Sequence, residues 1–329
     1  MPELVTAIVP TYNRAALLVR ALSSIAAQEY SPIEVVIVDD GSTDNTQEII
    51  PAQKQLLVAR GIELTYHRQT NGGPAMARNT GIAKARGSLI TFLDSDDLWR
   101  PTFASTLAGL LTKYPTAGVA FCGIQGIDID DKVFAERPLE VPSDQPAGLL
   151  PRPFDFLINR MALQTSGVMV RREALDRVGV FDLTMPVGED WDLWYRLSQA
   201  FDFGYTVEGL ACNRHHTNNI PKWDARALAL GLALNLKYLP IATLPKSRDT
   251  LRHRVQWHML LLQEEVLRLG KSANGYATLL DHEEAPRSTR YRLGSWMRRR
   301  PAWAGRAYAA AIRAIGKTRG LFKRSGSHA

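Results

Sequence analysis

The chain begins with short apolar runs alternating with longer segments of helical spacing. Thr6–Pro10, Ile33–Asp39, Ile62–His67 and Ser88–Leu93 are short, rich in Val, Ile or other apolar residues, and closed by turn or capping residues, the pattern of buried strands. Between them Arg14–Ala27, Thr43–Ala59 and Ala75–Ala85 carry apolar residues at helical intervals, as in Leu17, Leu18, Ala21, Leu22 and Ile25. Strand and helix in turn predict right-handed βαβ units and a parallel sheet with helices on both faces. Such sheets bind ligands beyond the carboxyl ends of their strands. Polar residues gather at those ends: Thr11-Tyr12-Asn13 after the first strand, Asp39-Asp40-Gly41 after the second and Asp94-Ser95-Asp96-Asp97 after the fourth.

From Gly118 to Gly209 strands mix with Pro-rich loops, Pro138–Pro153 being the clearest loop. Trp191, Trp194, Tyr195 and Leu197 give one apolar side to a helix over Glu189–Phe201. Helical patterns return over Asp224–Tyr238 and Arg252–Leu269, the latter closed by Gly270 as a C-cap. No internal repeat is visible. The expected organisation is an α/β unit over 1–220 (halves 1–125 and 126–220), a helical extension over 221–285 and a tail over 286–329.

Charge sharpens that division. The 329 residues hold 40 Lys and Arg against 33 Asp and Glu, a net charge of +7. Residues 286–329 contain 12 of the basic side chains and no acidic ones, leaving 28 against 33 before them: a mildly acidic body and a strongly basic tail. A hydrophobic share of 45% with 8% aromatics excludes wholesale disorder and a collagen-like repeat. Two cysteines, Cys122 and Cys212, cannot build a disulfide framework and are expected as reduced, buried thiols of a cytoplasmic protein. The N-terminus lacks a basic stretch ahead of its short apolar run, so no signal peptide is expected. No uncharged apolar run approaches the ~18 residues a membrane-spanning helix needs.

Several clusters carry candidate chemistry. Asp94 and Asp96, one residue apart at a strand end, can hold a divalent cation and leave coordination positions for phosphate oxygens, which suits Mg²⁺ or Mn²⁺. A DxD alone is short and frequent, and a solvated acidic turn or a helix cap also accounts for it. In Val38-Asp39-Asp40-Gly41-Ser42-Thr43-Asp44, Gly41 supplies a tight turn and Ser42 or Thr43 a cap for the next helix, which leaves a second carboxylate without a structural task. Asn71-Gly72-Gly73-Pro74 running into Ala77-Arg78-Asn79 can offer backbone amides and a fixed cation to phosphate, or be a turn only. Glu189-Asp190-Trp191-Asp192 sets carboxylates at a helix start. The helix dipole explains Asp192, whereas neighbouring Trp residues would desolvate Asp190 and raise its pKa toward that of a general base. In Arg214-His215-His216 two adjacent imidazoles on a strand point to opposite faces, so at most one addresses a site.

In that order and spacing, Thr11-Tyr12-Asn13-Arg14, Val38–Asp44, the Asn71–Asn79 segment, Asp94–Asp97 and Gly188–Trp194 resemble family 2 glycosyltransferases over about residues 4–220. The resemblance implies the GT-A fold, a mostly parallel twisted α/β sheet flanked by helices. It also implies a nucleotide-sugar donor, a divalent Mn²⁺ or Mg²⁺, and inversion at the anomeric carbon. It implies that Pro10, Thr11, Tyr12 and Arg14 line the nucleotide pocket with Tyr12 stacked on the base. Asp40 would hydrogen-bond the base, most often uracil, and Gly73, Arg78, Asp94 and Ser95 would complete the donor site. Asp94 and Asp96 match the metal pair, with Asp96 the direct ligand and Asp97 a helper. Asp190 matches the catalytic base, with Glu189 the second choice. His216, in the pattern Arg214-x-His216-x-x-Asn219, falls near the diphosphate and the metal. Asn213 departs from the family, which often has an aromatic or Arg there, so His215 stays open beside His216. A carbohydrate or lipid-linked acceptor is the implied partner.

In the tail, Arg306, Arg313, Lys317 and Arg324 fall within about 40° on a helical wheel, opposite Tyr308, Ala311, Ile312, Ile315 and Phe322. With Trp296 and Trp303 upstream, this is the pattern of a segment lying on an anionic membrane surface, at the inner face of a membrane for a cytoplasmic protein. A helix docked on the protein's own core, a disordered tail and a nucleic-acid patch compete with it. Nucleic acid is disfavoured because no recognised binding module accompanies the charge. Two other functional classes suit the body. A sugar nucleotidyltransferase would carry a GxGxRxxP-like loop where Pro10-Thr11-Tyr12-Asn13 stands, and a non-catalytic membrane-attached binding protein would lose the DxD or the base, both of which are present.

Overall fold

Val5–Thr11 (β1), Ile33–Asp39 (β2), Glu63–Arg68 (β3) and Leu89–Phe92 (β4) occupy the four predicted strand segments, each end shifted by at most one residue. The structure is a computed structural model that describes residues 2–137, 139–160, 163–185, 188–215 and 225–268. The basic tail and His216 lie outside the described residues. β1 and β2 are buried at every position, which explains why their sequences are mostly apolar without alternation, the buried Thr6 hydroxyl donating to the buried Glu34 carboxylate at 2.6 Å. The helices α1 (Ala15–Ala26), α2 (Thr46–Val58) and α3 (Pro74–Lys84) connect the strands, and β3, β2, β1 and β4 pair in parallel in that order.

The second half follows as β5 (Leu98–Trp99), α4 (Phe103–Lys113), β6 (Ala117–Ile127), β7 (Val133–Arg137), β8 (Ala147–Leu150), α5 (Phe154–Arg160), β9 (Val168–Arg171), α6 (Arg172–Val178), α7 (Glu189–Ala200) and β10 (Asp202–Arg214). The sheet order is β3-β2-β1-β4-β9-β6-β10-β5, with β7 beside β6 and β8 beside β10. Strand β9 is antiparallel to both β4 and β6, while β10 is parallel to β6. Two reversals restore direction, so the carboxyl ends of β1, β2, β4, β6 and β10 share one edge of the sheet. The start of β9 reaches that same edge and brings Thr165–Gly167 next to Asp94.

Three expectations change. The Pro138–Pro153 loop contains β8, whose Ala-Gly-Leu-Leu sequence has little strand preference and is extended because it pairs with Phe203–Thr206. Helix α2 starts at Thr46, later than a Ser42 or Thr43 cap allows. Asp44 accepts hydrogen bonds from the amides of Thr46 (3.0 Å) and of Ala15 (3.1 Å), so one carboxylate caps the starts of two helices. The last described helix begins at Pro245, seven residues before the apolar periodicity, because Pro is well suited to a first helical position.

The core is built from the inward faces of β1, β2, α1 and α4, including Val9, Leu18, Leu22, Ile37, Phe103 and Leu107. Helix α3 lies so close on β1 that a Cβ at Gly81 would sit 2.3 Å from the Ile8 Cγ2 methyl. Gly81 therefore sets the depth at which the helix behind the Gly-rich loop is seated. Cys122 and Cys212 are both free and buried. The chain divides into two compact units, Met1–Ile220 and Pro221–Ala329. In the second, Ala225–Tyr238 (α8) and Pro245–Arg268 (α9) pack through Leu232, Leu236, Val255 and Met259. No described helix is long and apolar enough to cross a membrane.

Candidate functional site

The shared carboxyl edge opens into a cavity of about 630 Å³. Pro10, Thr11, Tyr12 and Arg14 line it from the end of β1, Asp40 from β2, and Asn71, Gly73, Pro74, Ala77 and Arg78 from the Gly-rich loop and α3. Asp94, Ser95 and Asp96 follow β4, and Asn213, Arg214 and His215 close the wall from β10. Every residue named above for nucleotide binding thus faces one space, together with Asp96. Tyr12 is 47% exposed, presenting its ring at the surface.

The loops around the cavity are laced by side chains. Asn13 adopts a left-handed backbone, φ 52°, which Asn tolerates. Its Oδ1 accepts the Thr43 amide (2.7 Å), and its own amide donates to Ser42 Oγ (2.9 Å), joining the β1 and β2 loops. Asp39, fully buried, accepts hydrogen bonds from the Ser42 amide (2.8 Å) and the Tyr66 hydroxyl (2.6 Å). Asp40 accepts from Gln69 Nε2 (2.8 Å) and from the amides of Gly72 (2.9 Å) and Gly73 (2.7 Å), the last in a left-handed turn with φ 84°. Both carboxylates therefore have structural tasks. Asp40 buckles the Gly-rich loop and retains roughly one of its four lone-pair sites for a ligand.

The acidic cluster after β4 separates into three roles. Asp96 is buried and paired with Arg14. Asp94 is paired with Arg78 at 2.8 Å. Asp97 is held by the protein itself, accepting from Ser166 Oγ (2.6 Å), the Arg214 amide (3.0 Å) and Asn213 Nδ2 (3.2 Å). Burial and the adjoining Asp94 and Asp96 carboxylates push Asp97 up to about 7, against the pull of Ser166 and the Arg214 amide. Arg214, expected near a diphosphate, is fully buried. Its Nε donates to the Asp96 carbonyl (2.8 Å), its Nη1 to the Asp128 carbonyl (2.6 Å), and its Nη2 pairs with Asp131. It pins the acidic loop in place.

Arg78, the fixed cation of the Gly-rich segment, is met by carboxylates on two sides at the cavity wall. It is 6% exposed, its Nη2 on Asp94 and its Nη1 on Glu189 Oε1 at 3.1 Å, with the guanidinium 5.5 Å from the Phe181 ring centroid. Glu189 and Asp190 open α7 behind it and are absent from the cavity lining. Asp190 is half-buried, one oxygen accepting the Trp191 amide at 2.8 Å. Burial raises its pKa, with Asp94 adding to the rise and Arg78 opposing it. Burial and the Asp190 charge push Glu189 up to about 7, again against Arg78. Asp192 lies in the first turn of α7, as the dipole favours, and has a second task. It is fully buried and bonded to Arg196 Nε at 2.8 Å, and Arg196 donates to the Val178 and Val180 carbonyls at 2.7 and 2.8 Å, fastening the chain ahead of α7. Ser166 and Phe181 carry no motif in the sequence, since their importance comes from partners far away along the chain.

The residues fit a divalent cation in part. Asp94 and Asp96 supply hard carboxylate oxygens at one wall, while among the described residues no group of three ligating side chains gathers, so further oxygens would come from a ligand. The lining carries three Arg and three Asp, so a diphosphate entering it gains little net attraction without an added cation. His215 faces the cavity beside these groups.

The architecture is that of GT-A transferases. TarS 1–349 of S. aureus, solved in complex with UDP, superposes with a TM-score of 0.61 at 20% identity, covering 84% of this chain and 78% of that one. The mannosyltransferase PcManGT of Pyrobaculum calidifontis, solved with GDP-Man and Mn²⁺, gives 0.55 at 21% identity over 98% and 82% of the two chains. The model of glycosyl transferase family 2 matches residues 6–182, more than half of the sequence, and the chain belongs to that family. An uncharacterized glycosyltransferase of Nostoc sp. is 34% identical over 192 residues, which make up 58% of this chain and 56% of the relative, so the chain spans about half of that protein's length.

Proposed function

We propose that this chain is an inverting glycosyltransferase that moves one sugar from a UDP-sugar to the hydroxyl of a carbohydrate or lipid-linked acceptor. The observation that carries the reading is the placement of Asp94 and Asp96 in a cavity lined by the family's donor residues, with the Glu189–Asp190 turn joined to it through Arg78. Tyr12 stacks on the base. Thr11 Oγ1, buried in the lining without a hydrogen-bond partner, and the remaining acceptor capacity of Asp40 serve the base or ribose. Asp94 and Asp96 would hold Mn²⁺ or Mg²⁺, which when bound supplies Lewis-acid stabilisation to the departing diphosphate. Asp190 takes the proton of the attacking hydroxyl. A single displacement needs one base and no covalent nucleophile, which accords with inversion.

Residues 1–220 form the catalytic unit in this reading, and the basic segment 286–329 attaches the protein peripherally to an anionic membrane surface. The donor is tested by thermal unfolding of the full chain with UDP, GDP and their sugars, each with and without Mn²⁺. UDP compounds with Mn²⁺ are expected to raise the midpoint most, and a preference for GDP compounds would overturn the choice of base. The tail is tested by vesicle co-sedimentation: binding to phosphatidylglycerol vesicles and not to phosphatidylcholine ones is expected, and equal partitioning would refute it.

A further inference from the structure

Arg78 has the surroundings of a strut. Two of its nitrogens face carboxylates from different parts of the chain: Asp94, 16 residues away at the end of β4, and Glu189, 111 residues away at the start of α7. Its Nε is buried with no hydrogen-bond partner. The next residue reinforces the same junction. Asn79 donates to the Phe181 carbonyl (2.8 Å) and accepts the Phe181 amide (3.0 Å), holding the ring against which the guanidinium lies. Phe181 packs edge-on against Phe92 of β4, 5.3 Å between centroids, and against Trp194 of α7, 6.3 Å. One guanidinium and one aromatic ring thus join β4, α3 and α7.

We propose that Arg78 is a positioning residue, holding the first turn of α7 to the donor-side carboxylate Asp94 so that Asp190 keeps a fixed place relative to the bound donor. This rests on the transferase reading, in which Asp190 is the base, and it replaces the assignment of Arg78 as a phosphate ligand. The geometry requires arginine. A planar guanidinium spans two carboxylates at once, whereas a lysine ammonium is a point charge that would serve one of them, although it would bind a phosphate well. Arg78→Lys therefore separates the two roles.

The test measures, on the full chain, the Kd for UDP with Mn²⁺ by calorimetry and the kcat for transfer from the donor found in the thermal screen, to water where no acceptor has been identified. Arg78→Lys is expected to leave the UDP Kd unchanged and to lower kcat by about 10–100-fold, the size expected when a reacting group is displaced by a fraction of an ångström to an ångström. Glu189→Gln breaks the same bridge from the other side with a near-isosteric group and is expected to show the same kcat-only loss. In Arg78→Lys/Glu189→Gln the two losses should not add, since one contact is removed twice. Full turnover in either single variant overturns the proposal, and so does a UDP affinity that falls in step with kcat. If Arg78→Lys does not fold, the pH profile of Glu189→Gln decides: an acid limb of kcat that is retained marks a displaced base, and a limb that vanishes marks Glu189 as the base itself and overturns the proposal. A wild-type protein that binds UDP but turns over no nucleotide-sugar overturns the transferase reading itself, whereas wild-type turnover with unaltered variants overturns only the role of Arg78.

Discussion

Asp190→Asn is expected to lower turnover by about 10²–10⁴-fold while leaving the affinity for the nucleotide-sugar unchanged, the signature of a lost general base. The substitution keeps shape, and the Asn oxygen can still accept the Trp191 amide that Asp190 accepts. What disappears is the capacity to take a proton from the acceptor hydroxyl. Initial rates and calorimetric donor binding on the same preparations check both halves. Equal turnover in wild type and variant would sink the assignment. The wild-type pH profile offers a second reading. Burial, joined by the Asp94 charge, raises Asp190 above the ordinary aspartate range in spite of Arg78. The base works when ionised, so turnover should fall as pH drops through this raised pKa, placing the acid limb above the usual aspartate value. In Asp190→Asn that limb should vanish from the residual rate.

Asp96→Ala should convert cation-dependent donor binding into weak, cation-independent binding. In the wild type, Mn²⁺ is expected to strengthen UDP binding by on the order of 100-fold, equivalent to about 2.8 kcal/mol. The variant loses a carboxylate from the pair that would hold the cation, and it also loses the ion pair between Asp96 and Arg14. The three Arg of the lining still attract the diphosphate, so some affinity survives, but titration with Mn²⁺ or its removal by a chelator should no longer change it. Calorimetry with UDP, with and without Mn²⁺, reads this directly. A variant whose affinity still responds to Mn²⁺ as the wild type does would show that Asp96 is not the ligand.

These outcomes depend on features that were unequally visible in the sequence. The alternation of apolar runs with helical segments marks β1 to β4 and α1 to α3 because each element is specified by its own local period and by the turn residues that end it. The strand-end carboxylates are visible for the same reason, since the βαβ rule assigns the polar residues after each strand to one edge. Strand β8 is not visible, because its extended form comes from pairing with β10. The structural bonds of Asp39, Asp40 and Asp192 are also invisible to local reasoning, which sees charge but not the amides and guanidiniums that satisfy it.

The sequence by itself therefore determined the sheet's parallel half, the edge where chemistry gathers and the residue types available there. Only the tertiary structure decided how those residues are used: Asp40 as the buckle of the Gly-rich loop, Arg214 as the pin of the acidic loop, and Arg78 as the link between Asp94 and Glu189. The physical reason is one of range. Backbone periodicity and turn chemistry act over a few residues and are written along the chain. The state of a buried charge depends on partners that can lie more than a hundred residues away and meet it only when the chain, having left the carboxyl edge along β9, comes back through α6 to the start of α7.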